Sequence, residues 1–254
     1  EDISLRTLKS LRKADIIYCE DTRHSRILMN HYKIKTPLKS YHKFNERSRL
    51  EEVTDRIRRG DHIAVISDAG MPGISDPGEV LIQYLLEENL PFEVLPGASA
   101  AVTAVVLSGL EEGRHLYWGF LPSKSGARRK TLSELKSIPV PMVFYESPHR
   151  IKETIEDIYA ELGDRRLTIA REITKKFEEL VFLRAGDDLT DLTLKGEFVL
   201  VVHPQEEGEE TVNIKELLQE AMAEGHSLSK AVKLVSKTYD LPKNEVYREG
   251  LELK

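Results

Sequence analysis

The chain has 254 residues, 37 of them Lys or Arg and 43 Asp or Glu, which gives a formal net charge of −6. That length suffices for one large or two modest domains, and the acidic balance argues against a general nucleic-acid binder. Cys19 is the single cysteine, so an internal disulfide and a cysteine-based metal site are excluded, and a reducing, cytoplasmic setting is expected. We expect no metal, no signal peptide and no membrane span, because no apolar run approaches the roughly 20 residues that a span needs.

The first half of the chain alternates predicted helices and strands. It opens on an amphipathic helix, and since a doubly wound domain normally begins with a strand, we expect that a leading strand is missing. Strands are predicted at 15–19, 62–66 and 92–95, and helices from Thr22, at 46–59, at 78–88 and from Ala100. Such alternation is typical of a mostly parallel sheet with helices on both faces. Residues 1–113 are therefore predicted to form a first α/β domain.

The second half changes character after scattered aromatics and a Pro-Ser-Lys-Ser-Gly run near residues 117–126. Helices are predicted at 127–136 and 148–162, and strands at 142–145, 167–173, 180–183 and 198–203. The last three strands lack full-length helices between them, so a mixed or antiparallel sheet is expected in a second α/β domain at 114–204. An acidic linker begins at 205, and two or three short helices are predicted to form a helical tail that ends at 254.

A loop at 67–78 directly follows the predicted strand at 62–66. It contains three glycines, two prolines and two aspartates. In open α/β sheets ligands bind at the carboxyl ends of strands, and glycine lets a backbone approach a ligand closely. The Lys-Ser or Lys-Thr of a phosphate loop and the Gly-x-Gly-x-x-Gly of dinucleotide sites are both absent. The loop therefore indicates a small-ligand site, with an ordinary polar loop as the alternative.

Basic residues concentrate between Thr22 and Leu50. This basic segment contains eight Lys or Arg and one acid, a local charge of +7, with Tyr32, Tyr41 and Phe44 interleaved. Cations beside aromatic faces suit a phosphate backbone with unstacked bases. The pattern favours RNA contact over a solvated helix face with tyrosines turned into the core.

Seven sequence blocks, taken together, resemble the tetrapyrrole-methylase superfamily. They follow one another in family order at 19–23, 40–46, 67–78, 95–100, 146–150, 170–175 and 196–200. The resemblance implies two α/β domains with a cofactor cleft between them, S-adenosylmethionine as cofactor, and a small C-terminal helical appendage. Within the superfamily the pattern is most similar to the branch that methylates small-subunit ribosomal RNA. Family members carry an N-terminal strand and loop that would lie before Glu1 and line the cleft.

Carried over by position, the resemblance implies cofactor contacts from both domains. The positions are Asp68, Ala69, Gly70, Met71, Ser99 and Ala100 in the first domain and Tyr145, Ala170 and Gly196 in the second. Helix N-termini and glycine backbones present N–H groups that suit a carboxylate. A helix N-cap remains open as the role of Ser99, and a turn hydrogen bond as that of Asp68.

The implied reaction moves a methyl group to a ribose 2′-hydroxyl of a cytidine. A sulfonium is already an activated donor, so the protein mainly aligns the reactants, and one base could assist. Candidate bases are Glu20, His42, Glu146 and His149, for each of which a structural or RNA-orienting role stays open. Candidate RNA contacts are Arg23, Lys39, Lys43, Arg47, Lys124, Arg128, Arg129 and Arg150.

The resemblance also implies a homodimer that acts on small-subunit rRNA in the assembled particle. A methyltransferase for tetrapyrroles or other small molecules is one alternative, although such a substrate needs no +7 segment. A non-enzymatic RNA-binding module is the other, and it leaves the loop at 67–78 unexplained.

Overall fold

A computed structural model describes residues 2–110, 113–205, 214–223, 226–239 and 243–251. The chain divides into two compact units, Glu1–Pro204 and Gln205–Lys254. The helices of the first unit are α1 (Leu5–Lys13), α2 (Thr22–His31), α3 (Glu46–Arg58), α4 (Glu79–Glu87), α5 (Ala100–Leu107), α6 (Ser125–Leu135) and α7 (Ile151–Leu162). Its strands are β1 (Ile16–Cys19), β2 (Leu38–Ser40), β3 (Ile63–Ile66), β4 (Leu116–Phe120), β5 (Met142–Glu146), β6 (Arg166–Arg171), β7 (Glu179–Arg184) and β8 (Phe198–Val202).

The first sheet has three parallel strands in the order β2-β1-β3. Every residue of β1 is buried, as expected for a parallel strand covered by helices on both faces. In the register of the sheet, Cys19 lies opposite both Ser40 and Ile66. The carboxyl ends of the three strands therefore meet at one edge, and the loop at 67–78 begins there.

Two apolar clusters cover the two faces of this sheet. On one face Leu8 and Leu11 of α1 pack with Ile17 and Met29. On the other face Tyr18 packs with the helical residues of α3 and α4. These clusters are the ones that the 3.6-residue apolar spacing of the helices requires.

The strand predicted at 92–95 does not form. These residues form no hydrogen-bonded ladder with any described strand, and the edge of the first sheet beyond β3 has no further described strand. Phe92 and Val94 are accordingly 42% and 55% exposed. The apolar run there nevertheless precedes α5 as expected.

The second sheet has five strands in the order β4-β5-β8-β6-β7. The β4–β5 pair is parallel and the other pairs are antiparallel, which confirms the predicted mixed sheet. Helices α6 and α7 cover one face through a cluster that includes Phe144 and Ile155. Helix α5 covers the other face, where Ala104 packs with Val143 and Val201. A helix from the first half of the sequence thus belongs to the core of the second sheet.

The second unit is helical, which confirms the predicted C-terminal appendage. Its described helices are α8 (Ile214–Ala223), α9 (Leu228–Thr238) and α10 (Lys243–Leu251). They share an apolar cluster that includes Leu218, Val232 and Val246. Most of the acidic linker predicted from 205 onward lies outside the described residues. Within the described ranges, no helix combines the length and apolar character that crossing a membrane requires.

Candidate functional site

Loops that follow β1 and β3 meet at the carboxyl edge of the first sheet. The backbone N–H of Asp68 donates to a carboxylate oxygen of Glu20 at 3.3 Å, and the N–H of Asp21 donates to Asp68 at 3.4 Å. Neighbouring parallel strands make this meeting possible, because residues after their ends emerge side by side. The edge therefore carries several carboxylates next to exposed backbone.

The first part of the loop at 67–78 is open on its outer side. The Ser67 hydroxyl donates to the carbonyls of Ala69 and Gly70 and folds the chain into a turn. Gly70 has φ +73°, and a Cβ built there would meet nothing within 4 Å. Asp68, Ala69 and Gly70 are exposed and Met71 is half-buried. The backbone here is exposed, and the absence of a side chain at Gly70 leaves it open to close approach.

The second part of the same loop joins the two sheets. The Ser75 hydroxyl lies 2.8 Å from the Tyr117 hydroxyl of β4, and the Ser75 carbonyl accepts from Lys43 Nζ at 2.8 Å. Gly119, at an irregularity of β4, has φ +83°, and a Cβ there would lie 3.1 Å from the Ser75 hydroxyl. A side chain at 119 would crowd this junction, so the glycine allows the close approach of loop and strand.

Asp76 follows directly and is the carboxyl group that the sequence analysis did not single out. Burial raises the pKa of Asp76 to about 6, helped by the nearby charge of Glu20 and then of Asp68 and Glu197, while Lys43 opposes the rise. The signal that could have found it was its place in the same loop as Asp68. The influence of Glu197 could not be predicted from the sequence, because Glu197 is 121 residues away along the chain and precedes β8 of the second sheet.

Tyr145 lies on the second-sheet side of this junction. Its ring contacts Tyr117 edge-on at 5.4 Å between centroids and Phe120 at 5.6 Å. Burial raises the pKa of Tyr145 to about 12, and neighbouring Tyr117 adds to the rise. The hydroxyl therefore stays protonated at neutral pH, and it already interacts with the Tyr117 hydroxyl and the backbone N–H of Ala101.

The remaining cofactor candidates differ in what they can offer. Ser99 caps α5 by accepting from the N–H of Val102 at 3.5 Å, and the first-turn N–H of Ala100 has no intrahelical acceptor. Gly196 has φ +90° and packs against the side chain of Glu172. Ala170 does not fit the prediction of a cofactor contact, because it is 1% exposed in the α5 cluster and its strand is paired on both sides.

The four candidate bases differ in burial and in their hydrogen-bond partners. Glu146 is 3% exposed and accepts from Ser147 N–H, Arg150 and the Thr154 hydroxyl. Its lone pairs are thereby used at the start of α7, which gives it a structural role.

His149 is exposed in the turn before α7. His42 lies within 3.2 Å of the Asn45 amide, and Glu20 belongs to the carboxylate edge described above.

The basic candidates separate into exposed and internally paired side chains. Arg23, Lys43, Arg47 and Lys124 are exposed, although Arg23 also bonds Asp21 and holds the pKa of that carboxyl below its usual range. Lys39 pairs with Glu52 at 2.5 Å, Arg129 with Glu161 at 2.6 Å and Arg150 with Glu146 at 2.7 Å.

Arg128 does not fit the prediction of an RNA contact. Its side chain is 0% exposed, and Nε donates to Asp157 at 2.6 Å between α6 and α7. The basic run at the start of α6 suggested a solvated surface, but one of its members points into the protein and neutralises a carboxylate of the neighbouring helix.

Comparison with known proteins identifies the family to which this fold belongs. A family model described as Tetrapyrrole (Corrin/Porphyrin) Methylases matches residues 1–187, and one described as RsmI C-terminal HTH domain matches residues 208–254. A protein named ribosomal RNA small subunit methyltransferase I from Halalkalibacterium halodurans is 38% identical, covering 97% of this chain and 89% of its own. The protein of the same name from Haemophilus influenzae is 38% identical, covering 99% and 92%.

Solved structures agree on the fold. The methyltransferase CobJ superposes with a TM-score of 0.59 at 18% identity, covering 80% of this chain and 88% of its own. A diphthine synthase gives 0.59 at 19% identity, covering 80% and 84%. The chain belongs to the tetrapyrrole methylase family. It is a methyltransferase whose cofactor is S-adenosylmethionine.

Proposed function

We propose that the chain methylates the ribose 2′-hydroxyl of a cytidine in small-subunit ribosomal RNA. Two relatives named ribosomal RNA small subunit methyltransferase I align with 97% and 99% of the chain at 38% identity. The proposal includes action on the assembled small subunit, as a homodimer, in the cytoplasm.

One observation carries the proposal: the basic segment touches the loop at 67–78. Lys43 belongs to that segment and bonds the Ser75 carbonyl, and exposed Arg47 follows it on α3. An RNA backbone held by these cations would lie beside the carboxylate edge. A porphyrinoid polycarboxylate is compact and would meet only a few of these cations, whereas an RNA backbone can follow cations spread over residues 22–50.

The chemistry of the edge fits the proposed position of the cofactor. When bound, S-adenosylmethionine supplies a sulfonium with an activated methyl group. The exposed backbone from Asp68 to Met71 is open to a ligand, and carboxylates nearby favour a cation. The N-terminus of α5 at Ser99 and Ala100 offers N–H groups to a carboxylate. Tyr145 and Gly196 would hold the adenosine from the side of the second sheet.

Asp76 is our candidate acceptor for the hydroxyl proton. It lies one residue beyond the Ser75 junction, between the basic segment and the second sheet. A base must be largely ionised at the working pH while still binding a proton, and a carboxyl of raised pKa meets that requirement. Asp76→Asn should lower kcat by about 10²- to 10⁴-fold.

Kinetics separate a base from a structural carboxylate. In the parent enzyme, kcat should rise with pH through a titration near 6. In Asp76→Asn that limb should disappear while cofactor affinity is retained. An unchanged kcat in the variant would remove Asp76 from the chemistry.

The product tests the proposed function directly. A ribose 2′-O-methyl blocks alkaline cleavage of the adjacent phosphodiester, because the attacking hydroxyl is gone. Alkaline hydrolysis of small-subunit rRNA from cells lacking the gene should therefore show one additional cleavage site. Reintroducing the gene should make that site resistant again. Asp68→Ala should fail to restore the methyl group, whereas Asp191→Ala, in an exposed turn, should restore it. Identical cleavage patterns with and without the gene would favour a small-molecule substrate instead.

A further inference from the structure

Phe44 is the most exposed large apolar side chain among the described residues. Its exposed fraction is 98%, whereas Tyr41 in the same basic segment is 1% exposed and Tyr32 is half-buried. The structure thus separates the three aromatic residues of the segment. Tyr41 belongs to the core, and Phe44 alone presents its whole ring to solvent.

The ring stands on a turn that is held in place. The N–H of Asn45 donates to the carbonyl of His42 at 2.9 Å, and the side chain of Asn45 accepts from the N–H of His42 at 2.8 Å. The imidazole of His42 meets the Phe44 ring edge-on, with 6.0 Å between centroids. Because the turn is already ordered, binding through this ring costs little backbone entropy.

Charged groups frame the ring. Lys43 precedes it and docks the turn on the loop at 67–78 through its bond to the Ser75 carbonyl, and Arg47 follows in the first turn of α3. All other residues from 42 to 48 are polar or charged, so Phe44 is the one apolar side chain of this turn. An aromatic face between cations suits a base that is unstacked and flanked by phosphates.

We propose that Phe44 is a stacking platform for an unpaired nucleobase of the RNA substrate. This inference rests on the proposed function, since it assumes an RNA substrate, and it adds a specific contact to it. Through Lys43 the platform is tied to the loop that we propose for the cofactor. A base stacked there would fix the RNA strand relative to the methyl donor.

The test is binding of two RNA probes by the full chain. One is a labelled single-stranded 12-nucleotide RNA of mixed sequence, and the other is small ribosomal subunits from cells lacking the gene. Stacking on an aromatic side chain contributes about 1–3 kcal/mol per base, so Phe44→Leu should weaken binding about 5- to 150-fold. Phe44→Trp should bind like the parent, and its added indole fluorescence should be quenched by RNA.

Two further measurements make the result specific to stacking. The slope of log affinity against log salt should stay unchanged in Phe44→Leu, because no phosphate contact is lost. Phe182→Leu, on β7 and 63% exposed in the parent, is the matched control and should leave RNA affinity unchanged. Calorimetry with S-adenosylmethionine should give the parental affinity for all variants, which verifies their fold.

Three other outcomes would each refute the stacking platform, and one of them would also refute the proposed function. If the parent binds RNA and Phe44→Leu binds equally well, the platform is refuted and the proposed function stands. If the parent binds neither probe, both are refuted. If Phe44→Leu changes the sedimentation of the protein without changing RNA affinity, the ring belongs to a contact between copies of the chain, and the platform is refuted.

Discussion

Replacing Asp76 by Asn should make the protein more stable at neutral pH and leave it unchanged in acid. The carboxyl group has its pKa raised from 3.8 to about 6, chiefly by burial and then by the charge of Glu20. The folded chain therefore holds this proton more tightly than the unfolded chain does. The stabilisation from this protonation is fully present below about pH 4 and is lost as the pH rises through about 6. Asn stays neutral throughout and avoids that loss.

The magnitude follows from the size of the pKa change. A rise from 3.8 to about 6 corresponds to about 3 kcal/mol at 1.36 kcal/mol per pH unit. Asp76 is only half-buried, so solvent screening reduces this, and we take roughly half, about 1.5 kcal/mol. The unfolding free energy of Asp76→Asn minus that of the parent should thus grow by about 1.5 kcal/mol between pH 4 and pH 7.5.

Urea unfolding at several pH values measures this difference. Trp118 is the single tryptophan and lies on β4, so its fluorescence reports the unit Glu1–Pro204 that contains Asp76. Asp191→Asn removes an exposed carboxylate and controls for the change in net charge. A difference that is flat from pH 4 to pH 8, or that grows toward acid, would refute the reasoning.

Three further predictions separate side chains that look alike in sequence. Gly70→Val should abolish cofactor binding in calorimetry, because the new side chain fills the open space beside the backbone. It also strains a turn with φ +73° by about 1–3 kcal/mol. If the variant binds the cofactor with the parental affinity, the cofactor does not bind at this loop. Arg128→Ala should cost about 3–5 kcal/mol in urea unfolding, since it leaves a carboxylate of α7 without its buried cation. Arg129→Ala removes a solvent-exposed ion pair and should cost much less, and equal losses would contradict the burial argument. Arg47→Gln should flatten the salt dependence of RNA binding by about 0.7 in log-log slope, and Lys39→Gln should change it little, because Glu52 already holds that ammonium.

The carboxyl edge was within reach of sequence reasoning because it depends on local patterns. Apolar runs at 15–19 and 62–66 read as strands, and alternation with helices predicted that they lie parallel. Residues after parallel strands emerge together, so Glu20 and Asp68 could be placed on one edge. Their contact at 3.3 Å follows from that topology.

Long-range packing was not within reach. Arg128 stands in a basic run that reads as surface, and only the position of α7 explains its pairing with Asp157. The pKa of Asp76 is raised in part by the charge of Glu197, which lies just before β8 of the other sheet. The strand expected at 92–95 requires a hydrogen-bonding neighbour that a sequence pattern does not supply. Each of these depends on which elements meet in space.

The two parts of the loop at 67–78 differ in their contacts. Its first part is open around Gly70, where an added Cβ would meet nothing within 4 Å, whereas its second part is tied to Tyr117 of the second sheet and to Lys43 of the basic segment. A ligand at the first part and a strand of RNA at the second would therefore share one short stretch of backbone. Ordering that backbone once would serve both, because the second ligand would meet a segment whose conformational entropy is already lost. If both proposed sites lie on this loop, its prolines and glycines would serve both, because prolines limit the backbone entropy lost on binding and glycines allow close approach.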